Sequence, residues 1–195
     1  MTTHIQRLEF LVATDALKLI ERANTITSGS RHENVAEHSW HVSLMSMTFA
    51  DAAPEGTDHH RVRDMLIVHD LVEVHAGDTV VWDNTPESDV RDREAAAAVQ
   101  LFGLLPGDEG HRFRELWAEF DRQETIEARF ARALDALHPM VMSWGPASAG
   151  HPRIELRPSM VLARKRGWLE EFPVLWTIAQ EVVQSAVDRG LLTPD

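Results

Sequence analysis

The segment Ile67-Val68-His69-Asp70-Leu71-Val72-Glu73 sets a histidine and an aspartate inside a stretch that otherwise reads as the apolar face of a helix. An ionised aspartate in such a place costs several kcal/mol unless it is paired or coordinates a cation. An imidazole and a short carboxylate at adjacent helical positions can both reach one ion between them. Glu73 lies one helical turn after His69 on the same face, so it can approach an attacking water without being a ligand.

Two other segments carry residues of the same chemical kind. Glu37-His38-Ser39-Trp40-His41 and Ala133-Leu134-Asp135-Ala136-Leu137 each place a possible ligand in a helical pattern. The chain has no cysteine, so any metal must be held by nitrogen and oxygen atoms. His38, His69, Asp70 and Asp135 together would form a site for one divalent ion, with Mn, Fe, Co, Mg or Ni more suitable than structural zinc. Such a site leaves positions open for water and substrate.

Each of these segments also has a structural interpretation. A His-Asp pair alone is a weak motif, since either residue can be a hydrogen-bonded polar group of a core. His38 and His41 could be capping or core histidines, or a two-histidine site that lacks an obvious third ligand. Asp135 could pair with Arg132 along a helix as a surface ion pair.

Length and composition limit the class of protein. With 195 residues and 44% hydrophobic content, residues 1–195 are expected to form a single domain. No apolar stretch is long enough to span a membrane, and Arg7, Glu9 and Asp15 interrupt the amino-terminal segment where a signal peptide would be apolar. We therefore expect a soluble, cytoplasmic protein with no membrane partner.

The formal charge of -12 argues against a nucleic-acid partner. The dense basic run Arg164-Lys165-Arg166 is typical of a solvated surface or a helix end. An acidic protein can still bind a small phosphate ester where a metal ion and one or two arginines set the local potential. Net charge therefore leaves a nucleotide substrate possible.

Helical periodicity dominates the chain, and the strict alternation of strands is nearly absent. The pattern predicts an all-α bundle without internal repeats. The predicted helices cover about residues 6–23, Asn34 (as N-cap) to the Ala53-Pro54 stop, Asp58 to Gly77, 87–103, 109–120, 124–143 and 172–189, with loops at 77–86 and 145–158.

The ordered motifs resemble a known family. Residues 33–39 (Glu-Asn-Val-Ala-Glu-His-Ser), then His69-Asp70-Leu71-Val72-Glu73 with Gly77-Asp78, then Leu134-Asp135, closely resemble the HD-domain superfamily, and within it the YfbR-like 5′-deoxynucleotidases. Residues 116–120, followed by Glu127-Ala128, also look like those relatives. The resemblance covers about residues 8–145 and fades beyond 150, where helices in 150–195 would complete the bundle.

The resemblance implies an all-α HD-domain bundle with a metal site between its core helices. It implies a divalent metal held by His38, His69, Asp70 and Asp135, with Glu73 acting on the attacking water. It also implies that Arg22 contacts the substrate phosphate and that Asp78 approaches the sugar hydroxyls. The expected reaction releases inorganic phosphate from a nucleoside 5′-monophosphate, and a homodimer is expected.

Two positions depart from the pattern of the deoxynucleotidases. Those enzymes carry an Arg-Trp pair where this chain has Arg22-Ala23, which places the preference for deoxyribose in question. His32 stands where a smaller polar group is expected, and we interpret it as an exposed loop histidine.

Two alternative functions stay open. One is hydrolysis of another phosphate ester, such as a nucleoside triphosphate or guanosine tetraphosphate, for which residues 164–166 are the basic candidate. The other is a non-catalytic nucleotide-binding regulator. The presence of Glu73 and Asp78 argues against a regulator, because binding alone does not need a carboxylate that activates water.

Overall fold

The amino-terminal part of the chain combines helices with one short hairpin. The computed structural model describes residues 2–77 and 87–195. Helix α1 (Thr3–Thr14) is followed by a 3-10 helix (Asp15–Leu19), strand β1 (Glu21–Thr25), strand β2 (His32–Asn34) and helix α2 (Val35–Thr48). The two strands pair antiparallel, with Glu21 opposite Asn34 and Thr25 opposite His32.

The predicted helix over residues 6–23 is wrong beyond Thr14. Leu8, Leu11 and Leu19, whose spacing suggested the longer helix, are all exposed, so that spacing does not mark a buried face. The chain turns extended at Ile20, whose carbonyl accepts a hydrogen bond from the backbone of Val35. Residues 21–25 pair with β2 instead of continuing the helix. Because their partners lie about ten positions further along the chain, local periodicity does not reveal this pairing.

Helix α2 is capped by Asn34 as the sequence predicts, but it ends at Thr48, before the predicted Ala53-Pro54 stop, and a short 3-10 helix (Ala50–Ala52) follows. The side chain of Asn34 accepts a hydrogen bond from the backbone nitrogen of Glu37 at 2.9 Å, and the Glu37 carboxylate accepts one from the backbone nitrogen of Asn34 at 3.2 Å. This reciprocal cap satisfies two donors that the helix leaves unpaired. It fixes the start of the helix that carries His38.

The predicted helix from Asp58 to Gly77 is interrupted. Helix α3 spans His59–Val68, capped by the Asp58 side chain, and helix α4 spans Glu73–Ala76. Between them Leu71 and Glu73 donate backbone hydrogen bonds three residues back, to Val68 and Asp70, which tightens the turn. His69 and Asp70 therefore lie at the end of a helix and in a turn instead of along a continuous helix.

The remaining helices surround one central element. They are α5 (Glu87–Phe102), α6 (Asp108–Arg122), α7 (Ile126–Trp144), α8 (Pro158–Leu169) and α9 (Pro173–Asp188). Helix α7 packs against α2, α3, α6, α8 and α9, and its Phe130, Leu134 and Leu137 are completely buried. Asp135 is thereby carried on the helix that most of the bundle surrounds.

The all-α class is confirmed, with the β1–β2 hairpin as an addition. Helices were expected within residues 150–195, but the apolar pattern gave no bounds for α8, because the basic run and Gly167 weaken it although Val161 and Leu169 are buried. No helix among the described residues is long and apolar enough to cross a membrane.

Candidate metal centre

The four predicted metal ligands converge from three parts of the fold. His38 comes from α2, His69 and Asp70 from the end of α3, and Asp135 from α7. The His38 Nε2 lies 3.0 Å from Asp135 Oδ1, and His69 Nε2 lies 3.1 Å from Asp70 Oδ2. The crossed distances, His38 Nε2 to Asp70 Oδ2 and His69 Nε2 to Asp135 Oδ1, are both 3.8 Å. Residues separated by about a hundred positions thus present their ligand atoms to one small volume.

The orientation of His69 fits a cation in that volume. Its Nδ1 lies 2.8 Å from the carbonyl oxygen of Leu66 and donates a hydrogen bond to it, which leaves the lone pair on Nε2. That Nε2 is buried and has no hydrogen-bond partner among the described residues. A buried imidazole nitrogen that faces two carboxylates without a hydrogen bond is the donor set that a divalent ion satisfies.

Two arginines neutralise the aspartates from outside. Arg22 on β1 donates to Asp70 Oδ2 at 2.8 Å, and Arg132 on α7 donates to Asp135 Oδ2 at 2.9 Å. Burial alone would raise the pKa of Asp70, but the neighbouring His69 and the guanidinium of Arg22 hold it well below its usual value. Burial likewise opposes ionisation of Asp135, and its bonds to His38 and Arg132 hold its pKa well below the usual value. Both carboxylates are therefore ionised and able to coordinate a metal.

The Asp135–Arg132 ion pair that the sequence offered as an alternative does form. It uses Oδ2 of Asp135, whereas Oδ1 faces His38 and His69. The ion pair and the convergent site are therefore compatible.

A chain of histidines extends behind His38. The Nδ1 atoms of His38 and His138 lie 3.2 Å apart, and His138 Nε2 lies 2.9 Å from His41 Nδ1. The buried carboxylate of Glu33 lies 3.7 Å from His38 Nδ1. The sequence interpretation missed Glu33 and His138, although Glu33 belongs to the quoted motif and His138 follows Asp135 by one helical turn.

The hydrogen-bond chain fixes the tautomers if His38 is a ligand through Nε2. His38 Nδ1 then carries the proton and donates to His138 Nδ1, and His138 Nε2 donates to His41 Nδ1. This requires a neutral His138. Burial, reinforced by the neighbouring His38 and His41, holds the pKa of His138 well below its usual value.

The other predicted site residues fall in different positions. Glu73 is buried and begins α4, three residues beyond Asp70. Arg22 reaches the centre through Asp70, while its neighbour Ala23 is exposed on β1. His32 is exposed, as expected, but it lies on β2 and not in a loop, and its Nδ1 lies 2.9 Å from the Arg22 carbonyl oxygen. Asp78 lies outside the described residues.

Three tryptophans were candidates to replace the tryptophan of the family's Arg-Trp pair. Trp40 on α2 is 62% exposed and stacks on His41, while Trp168 on α8 lies against Arg132, with 4.9 Å between the guanidinium carbon and the ring centre. Trp82 lies outside the described residues. Of Trp40 and Trp168, only Trp168 contacts an arginine that is hydrogen-bonded to a candidate metal ligand, since Arg132 donates to Asp135.

Comparison with known proteins agrees with this geometry. Residues 14–176 match the family model described as HD domain. A crystal structure described as a "predicted metal-dependent phosphohydrolase" from Magnetospirillum magnetotacticum MS-1 is 37% identical to this chain and superposes with a TM-score of 0.81. The match covers 97% of this chain and 98% of the other. The family match continues through α8, beyond the residues 8–145 that carry the sequence motifs.

Two curated relatives are named as hydrolases of nucleotides. Human 5′-deoxynucleotidase HDDC2 is 32% identical over 129 residues, which are 66% of this chain and 62% of the relative. This chain therefore spans less than two thirds of the length of that relative. The dATP triphosphohydrolase of Cyanophage S-2L is 33% identical over 100 residues, covering 48% of this chain and 55% of the relative.

Proposed function

We propose that this chain, which belongs to the HD-domain family, is a metal-dependent phosphohydrolase that removes phosphate from nucleoside 5′-monophosphates. The observation that carries the proposal is the convergence of two imidazole nitrogens and two ionised carboxylates on one volume, with His69 Nε2 buried and lacking a hydrogen bond. The human relative named as a 5′-deoxynucleotidase supports the substrate class.

The ligands in this proposal are His38, His69, Asp70 and Asp135. Their mixture of nitrogen and oxygen donors suits Mn, Co, Fe, Ni or Mg. A divalent metal held there supplies Lewis-acid stabilisation of the charge that develops on the phosphoryl oxygens. The two arginines flank the carboxylate ligands and offset part of their negative charge.

The remaining steps use the chain's own side chains. Arg22 binds and orients the phosphate, and Glu73 accepts a proton from the water that attacks phosphorus. The bond between phosphorus and the 5′ oxygen breaks, and the departing oxygen takes up a proton. The products are a nucleoside and inorganic phosphate. Asp78 would approach the sugar hydroxyls.

A second candidate is hydrolysis of nucleoside triphosphates. The relative named dATP triphosphohydrolase supports it, because its aligned region is as similar to this chain as that of the human relative. The two reactions differ in their products, since cleavage at the 5′ oxygen of a nucleoside triphosphate would release tripolyphosphate instead of inorganic phosphate. The homodimer, the cytoplasmic location and the absence of a nucleic-acid partner stay predictions.

The test is a product screen with purified protein loaded with Mn, Co or Mg. Nucleoside monophosphates and triphosphates are incubated separately, and inorganic phosphate and tripolyphosphate are quantified by chromatography. We expect inorganic phosphate from monophosphates, and no release by Asp70→Ala. Tripolyphosphate from triphosphates would favour the second candidate, and neither product with any metal would refute both.

A further inference from the structure

The three residues of the basic run on α8 differ in their environments. Arg164 and Arg166 are exposed, and Arg166 forms an ion pair with Glu170 on the same helix at 2.7 Å. Lys165 is half-buried, and its ammonium nitrogen lies 5.5 Å from the centre of the Trp168 ring. The middle residue of the run therefore turns inward while its neighbours face solvent.

The Trp168 ring connects Lys165 to the metal centre. The guanidinium of Arg132 lies 4.9 Å from the centre of the same ring and donates to Asp135 at 2.9 Å. A cation over an aromatic face is stabilised by the ring quadrupole, but its charge is not neutralised. Trp168 thus holds two cations together beside a ligand residue.

The charges around Lys165 place its ammonium in the field of the centre. Burial lowers the pKa of Lys165 to about 8; Asp135 opposes this effect, while the charges of Arg132, Arg164 and Arg22 reinforce it. Arg22 and Arg132 each have an aspartate of the centre as a partner. Within residues 2–77 and 87–195, Lys165 has no carboxylate within ion-pair distance. Its charge is therefore available to an anion that enters the site.

We propose that Lys165 is a substrate-binding residue whose ammonium, held over Trp168, contacts a phosphate oxygen of the ligand at the metal centre. The identity of the substrate rests on the proposed function, but binding of a phosphate group does not. A lysine suits this role because its flexible stem lets three donors follow a phosphate from the ring toward the centre. The basic run thus contributes one functional residue and two solvent-exposed arginines.

The experiment compares Lys165→Met, Lys165→Arg and Arg166→Gln with the wild type, all loaded with the same metal. Methionine keeps an unbranched stem against Trp168 without the charge, arginine keeps the charge, and Arg166→Gln is the control from the same run. Isothermal titration with inorganic phosphate gives a Kd for each protein. Metal content and thermal unfolding are measured in parallel, and kcat/KM is measured with a nucleoside monophosphate.

We expect Lys165→Met to raise the Kd for inorganic phosphate by about tenfold or more, the effect of losing one charged hydrogen bond. Lys165→Arg should recover part of that loss, and Arg166→Gln should stay within about twofold of the wild type, since an exposed ion pair contributes little. Metal content should be the same in all four proteins. In the turnover assay Lys165→Met should lower kcat/KM by at least the same factor.

Phosphate affinity in Lys165→Met within twofold of the wild type would overturn the inference, whatever the change in its thermal unfolding. Should Lys165→Met fail to fold, Lys165→Ala, which keeps α8 but removes the stem, is measured in its place. Wild-type protein that binds phosphate through Lys165 yet releases none from any nucleotide would refute the proposed function and leave this inference standing. If Lys165→Met bound phosphate as tightly as the wild type and hydrolysed nucleoside monophosphates at the normal rate, the inference would be refuted and the proposed function would stand.

Discussion

The imidazole of His38 on α2 and the carboxylate of Asp135 on α7 lie 3.0 Å apart, across 97 positions of sequence. This contact joins the two helices at the point where His69 and Asp70 arrive from α3. His38 is fully buried and the Asp135 side chain is 12% exposed, so the contact is nearly closed to solvent. A metal ion in this position would hold three helices together as well as serve catalysis.

Removing one ligand should therefore abolish metal binding. We expect about one divalent ion per chain in protein purified without chelator, and much less in His38→Ala and Asp70→Ala. Elemental analysis of the purified proteins measures this directly. His111→Ala, which changes an exposed histidine on α6, is the control and should keep its metal. Unchanged metal content in the two ligand variants would disprove the site.

Glu73→Gln should separate catalysis from binding. The amide is nearly isosteric with the carboxylate but cannot accept the proton of the attacking water. Hydrolysis should fall by about 10²–10⁴-fold, the usual contribution of a general base, while metal content is retained. Steady-state kinetics with elemental analysis of the same samples provide the measurement. Activity within a few-fold of the wild type would mean that another group accepts the proton.

His138→Ala tests the histidine chain behind the metal centre. Loss of the acceptor for His38 Nδ1 frees that ring to rotate and removes its tautomer control. Metal affinity should fall by about 10–100-fold, as is typical when the hydrogen-bond partner of a ligand is removed. Competition with a chromogenic chelator gives the affinity. Phe130→Leu, a conservative change of a buried residue on the same helix, controls for general loosening of α7. Equal affinities in the two variants would contradict a positioning role.

Ala23 should weaken discrimination between ribose and deoxyribose. Its methyl group is exposed beside Arg22 and leaves space that a tryptophan would fill. We expect kcat/KM for AMP and dAMP, and for UMP and dUMP, to differ by less than about tenfold. Ala23→Trp should increase the preference for the deoxy substrates. A wild-type preference of about a hundredfold or more would show that another residue, such as Trp168, excludes the 2′-hydroxyl.

Glu119 on α6 should make stability depend on pH. Its buried carboxylate accepts a hydrogen bond from Thr125, the cap of α7, at 2.7 Å and pairs with Arg61 of α3. Burial would raise the pKa of Glu119, but the bonds from Arg61 and Thr125 lower it below its ordinary value of 4.5. Because the folded-state pKa is depressed, this stabilisation is complete above about pH 4.5 and is lost as the pH falls through the folded-state pKa.

Glu119→Gln should therefore lower the free energy of unfolding by about 1–2 kcal/mol at pH 7, the scale of a hydrogen bond to a charged group. The difference from the wild type should shrink below about pH 4. Urea unfolding at several pH values measures both effects, with Glu115→Gln, an exposed glutamate on the same helix, as control. If the difference in free energy of unfolding between Glu119→Gln and the wild type did not change with pH, the charge of Glu119 would make no contribution to stability.

The sequence predicted local features whose causes lie within a few residues. Asn34 caps α2 because its side chain meets the Glu37 backbone three positions on, and this reciprocal pattern is readable in the sequence. The helices over 87–103, 109–120, 124–143 and 172–189 agree closely with α5, α6, α7 and α9 because their apolar faces are those the core buries. Apolar spacing did not predict the structure of residues 15–23 or the bounds of α8, because in these segments the spacing of apolar residues does not match the residues that are buried.

The types of the candidate ligands and their order along the chain could be predicted from the sequence, because an aspartate in an apolar segment is costly without a cation or partner. The predicted helical context is correct for His38 and Asp135 but not for Asp70, which lies in a turn after α3. The tertiary structure alone decided that His138 and Glu33 support His38, and that Lys165 faces Trp168 while Arg164 and Arg166 face solvent. The His38–His138 contact joins positions 100 apart, and the inward orientation of Lys165 depends on how α8 packs against α7. Glu33 lies only five positions before His38, but it lies on β2, whose pairing with β1 sets where its side chain lies. Local periodicity gives the face of a helix on which a residue lies, whereas packing of the whole bundle decides what that face meets.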